Sequence, residues 1–109
     1  MKYPKHQYVR SKALLGAARE IPCQWCGADD GTVVAAHTNW GAGKGRSIKA
    51  DDNMIASLCF LCHTELDQGK CMNKMERMGM WQTAHERTVQ LLNELGLWPK
   101  DVPQPQDKT

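Results

Sequence analysis

The sequence predicts a small α+β domain, with a short two-strand core stapled by a four-cysteine site and flanked by an N-terminal and a long C-terminal helix. Three observations predict it. Two Cys-x-x-Cys pairs, Cys23/Cys26 and Cys59/Cys62, bracket two short apolar runs, at 32–36 and 54–58. A helical apolar period runs through 74–95, between a capping signature and a terminating glycine. The length of 109 residues fits one domain with a modest core, which often needs a metal or covalent staple.

The elements follow in chain order. Residues 1–10 read as a flexible basic arm, with Lys2, Lys5, His6 and Arg10 interleaved by Tyr3 and Tyr8. Ser11 is placed to N-cap a helix over 12–20, whose stripe is Leu14, Leu15 and Ala18 and which Pro22 stops. Cys23 to Cys26 forms a first knuckle, turned by Gly27. Asp29-Asp30-Gly31 is a turn signal, and the strand that follows ends at His37. Residues 39–49 form a glycine-rich basic loop with Lys44, Arg46 and Lys49. It lacks the Gly-Lys-Ser/Thr of a phosphate-cradling P-loop. Asp51-Asp52-Asn53 leads into the second strand, which delivers Cys59 and the second knuckle. One or two helical turns then run to Gly69. Asn73 with Glu76 forms a capping box for the long helix. Its predicted stripe is Met78, Trp81, His85, Leu92 and Leu95, widened by Ala84, Val89 and Leu91. Gly96 and Leu97 fit a Schellman close, and Pro99 forbids continuation. The folded unit is thus expected over 11–98, with 99–109, which holds Pro103 and Pro105, as a disordered tail.

Bulk properties exclude some classes. Apolar residues make up 41% and charged residues 24% of the chain, as in ordinary globular domains. No apolar run is long enough to span a bilayer, and the N-terminal residues lack the apolar segment of a signal peptide. The expectation is a cytoplasmic protein without membrane association, whose thiols stay reduced. A net charge of +2 is too small to indicate a nucleic-acid partner by itself.

Five cysteines in such a compartment do not describe a disulfide framework. Two Cys-x-x-Cys turns instead present four thiolates to one ion, the donor set of a tetrahedral structural zinc site; redox thiols are the other reading of such pairs. Cys71 has no partner knuckle and lies outside the set. Residues 27–58 separate the pairs, more than the roughly 15–20 of the simplest zinc ribbons, so further structure must fold between the knuckles.

That structure carries His37, while His63 directly follows Cys62. A lone histidine is more often a hydrogen-bonded structural residue than a catalytic one, and His63 could serve as a spare zinc ligand. Asn53 could be a plain turn residue. His85, near Trp81 on the long helix, reads as core packing. The loop cations Lys44, Arg46 and Lys49 are the natural contacts to phosphate, extended by Lys74, Arg77 and Arg87; a merely solvated loop is the bland alternative.

The order Cys23/Cys26, His37, Asn53, Cys59/Cys62/His63 resembles the HNH endonuclease superfamily, with its ββα-metal fold. The stretch from Ala36-His37 through Gly-x-Gly-Lys-Gly and Lys-Ala-Asp-Asp-Asn to Leu-Cys-x-x-Cys-His-x-Glu-x-Asp-Gln-Gly is similar to small nucleases of phages and prophages. The resemblance covers about residues 11–98. It implies a metal-dependent DNA endonuclease of phage or prophage recombination or DNA processing, working in the bacterial host cytoplasm. It assigns His37 as general base, Asn53 as the residue that orients it, and His63 as ligand of a catalytic Mg2+ or other divalent ion separate from the structural Zn2+. The family often has an aspartate directly before the first histidine as a metal ligand; here that position is Ala36. Asn53 also sits one residue further from the second knuckle than is usual. The missing carboxylate is then expected from Asp67, four residues after His63 on one helical face, with Asp51, Asp52 and Glu65 as further candidates. The rival class is a catalytically inactive zinc module that binds DNA or a protein. A structural ribbon that mediates protein contacts is a third reading. Neither DNA preference nor oligomeric state is encoded in any recognisable motif.

Overall fold

The computed structural model describes residues 10–37, 52–69 and 71–105. Within them the order is α1 (Lys12–Arg19), β1 (Val34–His37), β2 (Ile55–Leu58), α2 (Phe60–Gln68) and α3 (Lys74–Glu94). The predicted basic loop with Lys44, Arg46 and Lys49, and Asp51 after it, lies outside the described residues, as does most of the predicted arm.

Local chemistry sets the helix ends. The Ser11 hydroxyl accepts from the Leu14 N–H at 3.1 Å, and Leu14 and Ala18 turn inward from α1. Asn73 accepts from the Glu76 N–H at 2.8 Å while Glu76 accepts from the Asn73 N–H at 2.9 Å, the reciprocal box expected for α3. At the other end Gly96, with φ 73°, lets the Leu97 N–H reach the Leu92 carbonyl at 2.8 Å and its own N–H reach the Asn93 carbonyl at 3.1 Å. These two bonds are the Schellman pair. The inward face of α3 is Met80, Trp81, Ala84, His85, Thr88 and Leu92. The predicted Met78 is only half-buried, and Leu95, at the C-cap, is 54% exposed. The buried face therefore begins at Met80 and takes in a polar residue, Thr88, that an apolar stripe cannot reveal.

β1 and β2 pair antiparallel, with Val34 opposite Leu58 and His37 opposite Ile55. All four residues of β2 are buried. An unpaired strand edge in such a position would leave buried backbone groups without partners. Here side chains and the first knuckle close it. His85 Nδ1 donates to the Ile55 carbonyl at 2.8 Å, the Ser57 N–H donates to Thr88 Oγ1 at 2.9 Å, and the Gln24 N–H donates to the Ser57 carbonyl at 2.8 Å. Thr88 passes its own proton to the Ala84 carbonyl, and Ser57 Oγ donates to the Ala18 carbonyl. α3 thus substitutes for a third strand.

The apolar residues divide into two clusters. One joins Cys23, Cys59, Ala36, Leu58, Leu66, Met80 and Trp81 around the knuckles, and the other joins Leu14, Ala18, Ile21, Ile55, Leu92, Trp98 and Val102. The second cluster corrects the expectation of a disordered tail from residue 99. Val102 is buried, Trp98 Nε1 donates to its carbonyl at 2.9 Å, and Asn53 Nδ2 donates to the Pro103 carbonyl at 3.0 Å. Gln104 exchanges two side-chain hydrogen bonds with Asn93 of α3, so the segment is docked as far as residue 104. Among the described residues no helix is long and apolar enough to cross a membrane.

Gly69 ends α2 in the left-handed region, φ 64°, with its N–H donated to the Glu65 carbonyl. A Cβ there would stand 2.7 Å from Nε of Arg77, whose Nη1 donates to the Leu66 carbonyl at 3.0 Å. Gly69→Ala is therefore expected to destabilise by about 2 kcal/mol, from left-handed strain together with displacement of Arg77. A thermal melt should fall by about 10 °C; an unchanged melting temperature would contradict this account.

His85 supplies a pH dependence. Its ring stacks on Trp81 with centroids 4.7 Å apart. Burial lowers its pKa below the ordinary 6.5, outweighing the Ile55 carbonyl and the Glu86 charge, which both raise it. The unfolded chain then binds the extra proton more readily. Stability contributed by neutral His85 is present above pH 6.5 and declines as pH falls below it towards the lower folded-state value. Denaturant melts between about pH 5 and 7.5 should show a shallower acid decline for His85→Gln than for the wild type; parallel curves would refute the assignment.

Candidate metal centre and histidine–carboxylate pairs

The first knuckle is built by backbone hydrogen bonds. The Cys23 N–H donates to the Ala28 carbonyl at 2.8 Å, and the Gly27 N–H donates back to the Cys23 carbonyl at 3.0 Å. Gly27 takes φ 85°, which closes the turn. The N–H groups of Trp25 and Cys26 both point at Cys23 Sγ, each at 3.4 Å. Burial raises the Cys23 thiol pKa, but N–H donation from Cys26, Cys59 and Trp25 outweighs it and brings the value down to about 7. The second knuckle is the N-terminus of α2. Cys59 is its N-cap and its carbonyl accepts from the His63 N–H at 2.8 Å. The Phe60 N–H donates to Thr32 Oγ1 at 3.0 Å, which ties that turn to the segment before β1.

The four predicted sulfurs come together. Cys23, Cys26, Cys59 and Cys62 lie within 4.8 Å of one another, with Cys26 and Cys59 at 3.6 Å. A tetrahedron of thiolates at ~2.3 Å from a zinc ion has edges of ~3.8 Å, so the cluster could hold zinc. Burial and the neighbouring cysteines push the Cys62 thiol upward. For Cys26 the Ala28 N–H pulls the pKa down, but burial and the Cys59 and Cys23 thiols carry it above its ordinary value. Four thiols packed this closely therefore resist losing all their protons together without a cation. Cys71 is exposed and stands apart from the cluster, as expected.

His37 is the last residue of β1. Its Nε2 lies 2.9 Å from Asp52 Oδ1, and its side chain is 32% exposed. Asp52 is buried; its Oδ2 accepts from the Ser11 N–H at 2.8 Å, and Arg10 Nη1 lies 3.9 Å from Oδ1. The expected orienting bond between Asn53 and His37 is replaced. Asn53 sends its side-chain N–H to Pro103, and Asp52 holds His37. His37 ends β1 opposite Ile55, the first residue of β2, so the turn that leads into β2 lies beside it; there Asp52 faces the imidazole while the next side chain is bonded to the C-terminal segment.

His63 occupies the first turn of α2, anchored by its N–H to Cys59. Its Nε2 lies 3.6 Å from Asp67 Oδ2, the i,i+4 pairing expected, and both side chains are accessible at 38% and 62%. Glu65, a further carboxylate on α2, is bonded to the chain that leads into α3. Its Oε2 accepts from the N–H groups of Cys71 and Met72 at 2.8 and 2.7 Å, which organises the turn into α3. Ala36 is buried with 1% exposure, and its carbonyl accepts from Trp81 Nε1. Arg77 and Arg87 also have internal tasks, the latter donating to the Gln24 carbonyl at 3.3 Å. No protein-family model matches the chain, no curated protein matches it and no solved structure matches it.

Proposed function

We propose that this chain is a metal-dependent DNA endonuclease of the HNH type, held together by a structural Zn2+ on Cys23, Cys26, Cys59 and Cys62. The observation that carries this reading is a pair of histidine–carboxylate contacts of different character on one β1–β2–α2 unit. The HNH resemblance of the quoted motifs supports it. His37 with Asp52 is a short, half-sheltered hydrogen bond of the kind that prepares a general base. His63 with Asp67 is an open pair, accessible to solvent, whose nitrogen and oxygen lie 3.6 Å apart.

That second pair would offer an imidazole and a carboxylate to a divalent ion, Mg2+ or a transition metal, with water and substrate phosphate oxygens completing its shell. The ion would supply neutralisation of charge on the phosphate. The protein's own part is proton transfer and placement. His37 accepts the proton of a water whose oxygen bonds to phosphorus, the bond from phosphorus to the departing sugar oxygen breaks, and solvent protonates that oxygen. Lys44, Arg46 and Lys49 are proposed to hold the DNA backbone. The setting proposed is phage or prophage recombination or DNA processing in the host cytoplasm.

One feature favours a silent zinc module that binds DNA or protein: Ala36 contributes no carboxylate where the family often has one. Incubation of the zinc-loaded chain with plasmid, branched and single-stranded DNA, with Mg2+ or Mn2+, decides between them. Nicking by the wild type that His37→Ala lacks supports the nuclease. Binding without nicking under both metals establishes the silent module.

A further inference from the structure

We infer that Asp52 is the positioning residue that fixes the tautomer of His37, and that Ser11 makes this arrangement unsubstitutable by an amide; the inference rests on the nuclease reading only for its kinetic consequence. The geometry has three parts. Asp52 Oδ1 faces His37 Nε2 at 2.9 Å, Asp52 Oδ2 accepts the backbone N–H of Ser11 at 2.8 Å, and the side chain is buried. A backbone N–H can only donate. The Ser11 residue that supplies it is itself held as N-cap of α1 by its hydroxyl, with φ −152°. Oδ2 is thereby committed, and Oδ1 is left to face the imidazole.

A carboxylate presents acceptors on both sides, so in the neutral ring Nε2 carries the proton and Nδ1 keeps the lone pair. Nδ1 is then the nitrogen that can take a proton from water. The only other charged group at Asp52 among the described contacts is Arg10, at 3.9 Å from Oδ1. Its positive charge lies beside the carboxylate.

An amide at position 52 breaks the scheme through a fixed constraint. Asparagine has one acceptor and one donor end. The Ser11 N–H selects the acceptor end, because the opposite rotation would set N–H against N–H in a buried site. The amide NH2 must then face His37 Nε2, which can accept only if the ring proton moves to Nδ1. Asp52→Asn is nearly isosteric, yet it removes the basic nitrogen from the side where it is needed.

The test reads the ring directly. Nitrogen-15 NMR of the zinc-loaded full chain is expected to show His37 protonated at Nε2 in the wild type and at Nδ1 in Asp52→Asn. With nicking measured in parallel, kcat for Asp52→Asn should fall by up to about 10⁴-fold, and no further than for His37→Ala, with KM for DNA little changed, as when a base is held in its wrong tautomer. Asp52→Glu, which restores two acceptor ends, should recover the Nε2–H tautomer. A wild-type His37 protonated at Nδ1 overturns the inference without any variant, and so does an Asp52→Asn ring that stays protonated at Nε2. If the tautomer switches as expected while the wild type cuts no DNA, the positioning role stands and the nuclease reading alone fails.

Discussion

Cys59→Ser is expected to abolish binding of the proposed zinc ion and, with it, cooperative unfolding of the whole domain. Cys59 caps α2, lies in the core cluster with Cys23, Leu58 and Trp81, and stands 3.6 Å from Cys26 of the other knuckle. The first knuckle also closes the edge of β2 through Gln24, so loosening it exposes strand backbone as well as sulfur. A structural zinc in a small domain contributes an apparent ~10–16 kcal/mol. A whole domain of this size is stable by only about 5–15 kcal/mol. Removing the ion therefore removes as much as the fold has to spare. Elemental analysis should find equimolar zinc in the wild type and little in the variant, and a strong chelator should erase the near-ultraviolet signal of the buried Trp81. Cys71→Ser should leave both unchanged, since that thiol is exposed and outside the cluster. A metal-free wild type that melts at the same temperature with and without chelator would defeat the claim.

Much of this architecture was legible because its signals are local. The ends of α3 are written in Asn73 with Glu76 and in Gly96 with Leu97, each a bond between near neighbours in sequence. The knuckles are legible for the same reason: two thiols three residues apart fit one turn. His85 as a core residue followed from helical period. The pairing of His63 with Asp67 followed from the four-residue spacing, and the structure brings the two within 3.6 Å.

What escaped the sequence depends on long-range placement. The partner of His37 is set by strand register and by the Ser11 N–H, 41 residues from Asp52. A polar residue such as Thr88 carries no apolar signal, although it is fully buried and accepts from Ser57. The segment past Pro99 reads as disordered by composition, because prolines lower helix and strand propensity. Its docking comes from Val102 reaching the cluster of Leu14 and Leu92, from the hydrogen bond that Asn53 donates to Pro103, and from the two that Gln104 and Asn93 exchange. Asn53 thus anchors the C-terminal segment beside the residue that holds the histidine, so the two neighbours in sequence divide support of the chain end and support of the site.

If the chain is the nuclease proposed above, His37→Ala should lower the rate of DNA nicking by about 10²-fold to 10⁴-fold, the usual contribution of a positioned general base, or about 3–5 kcal/mol in the barrier. The fold should survive. His37 is the last residue of β1, keeps 32% of its side chain accessible, and belongs to neither apolar cluster. Its loss leaves Asp52 with the Ser11 N–H and the Arg10 charge nearby, so the carboxylate is not stranded without a partner. His63→Ala should behave differently. It removes one of the two donors proposed for the divalent ion, so its activity should recover in part at raised metal concentration, whereas that of His37→Ala should not. Equal nicking by His37→Ala and wild type would remove the base from the mechanism. Equal metal dependence of the two variants would remove the division of labour between the two histidines.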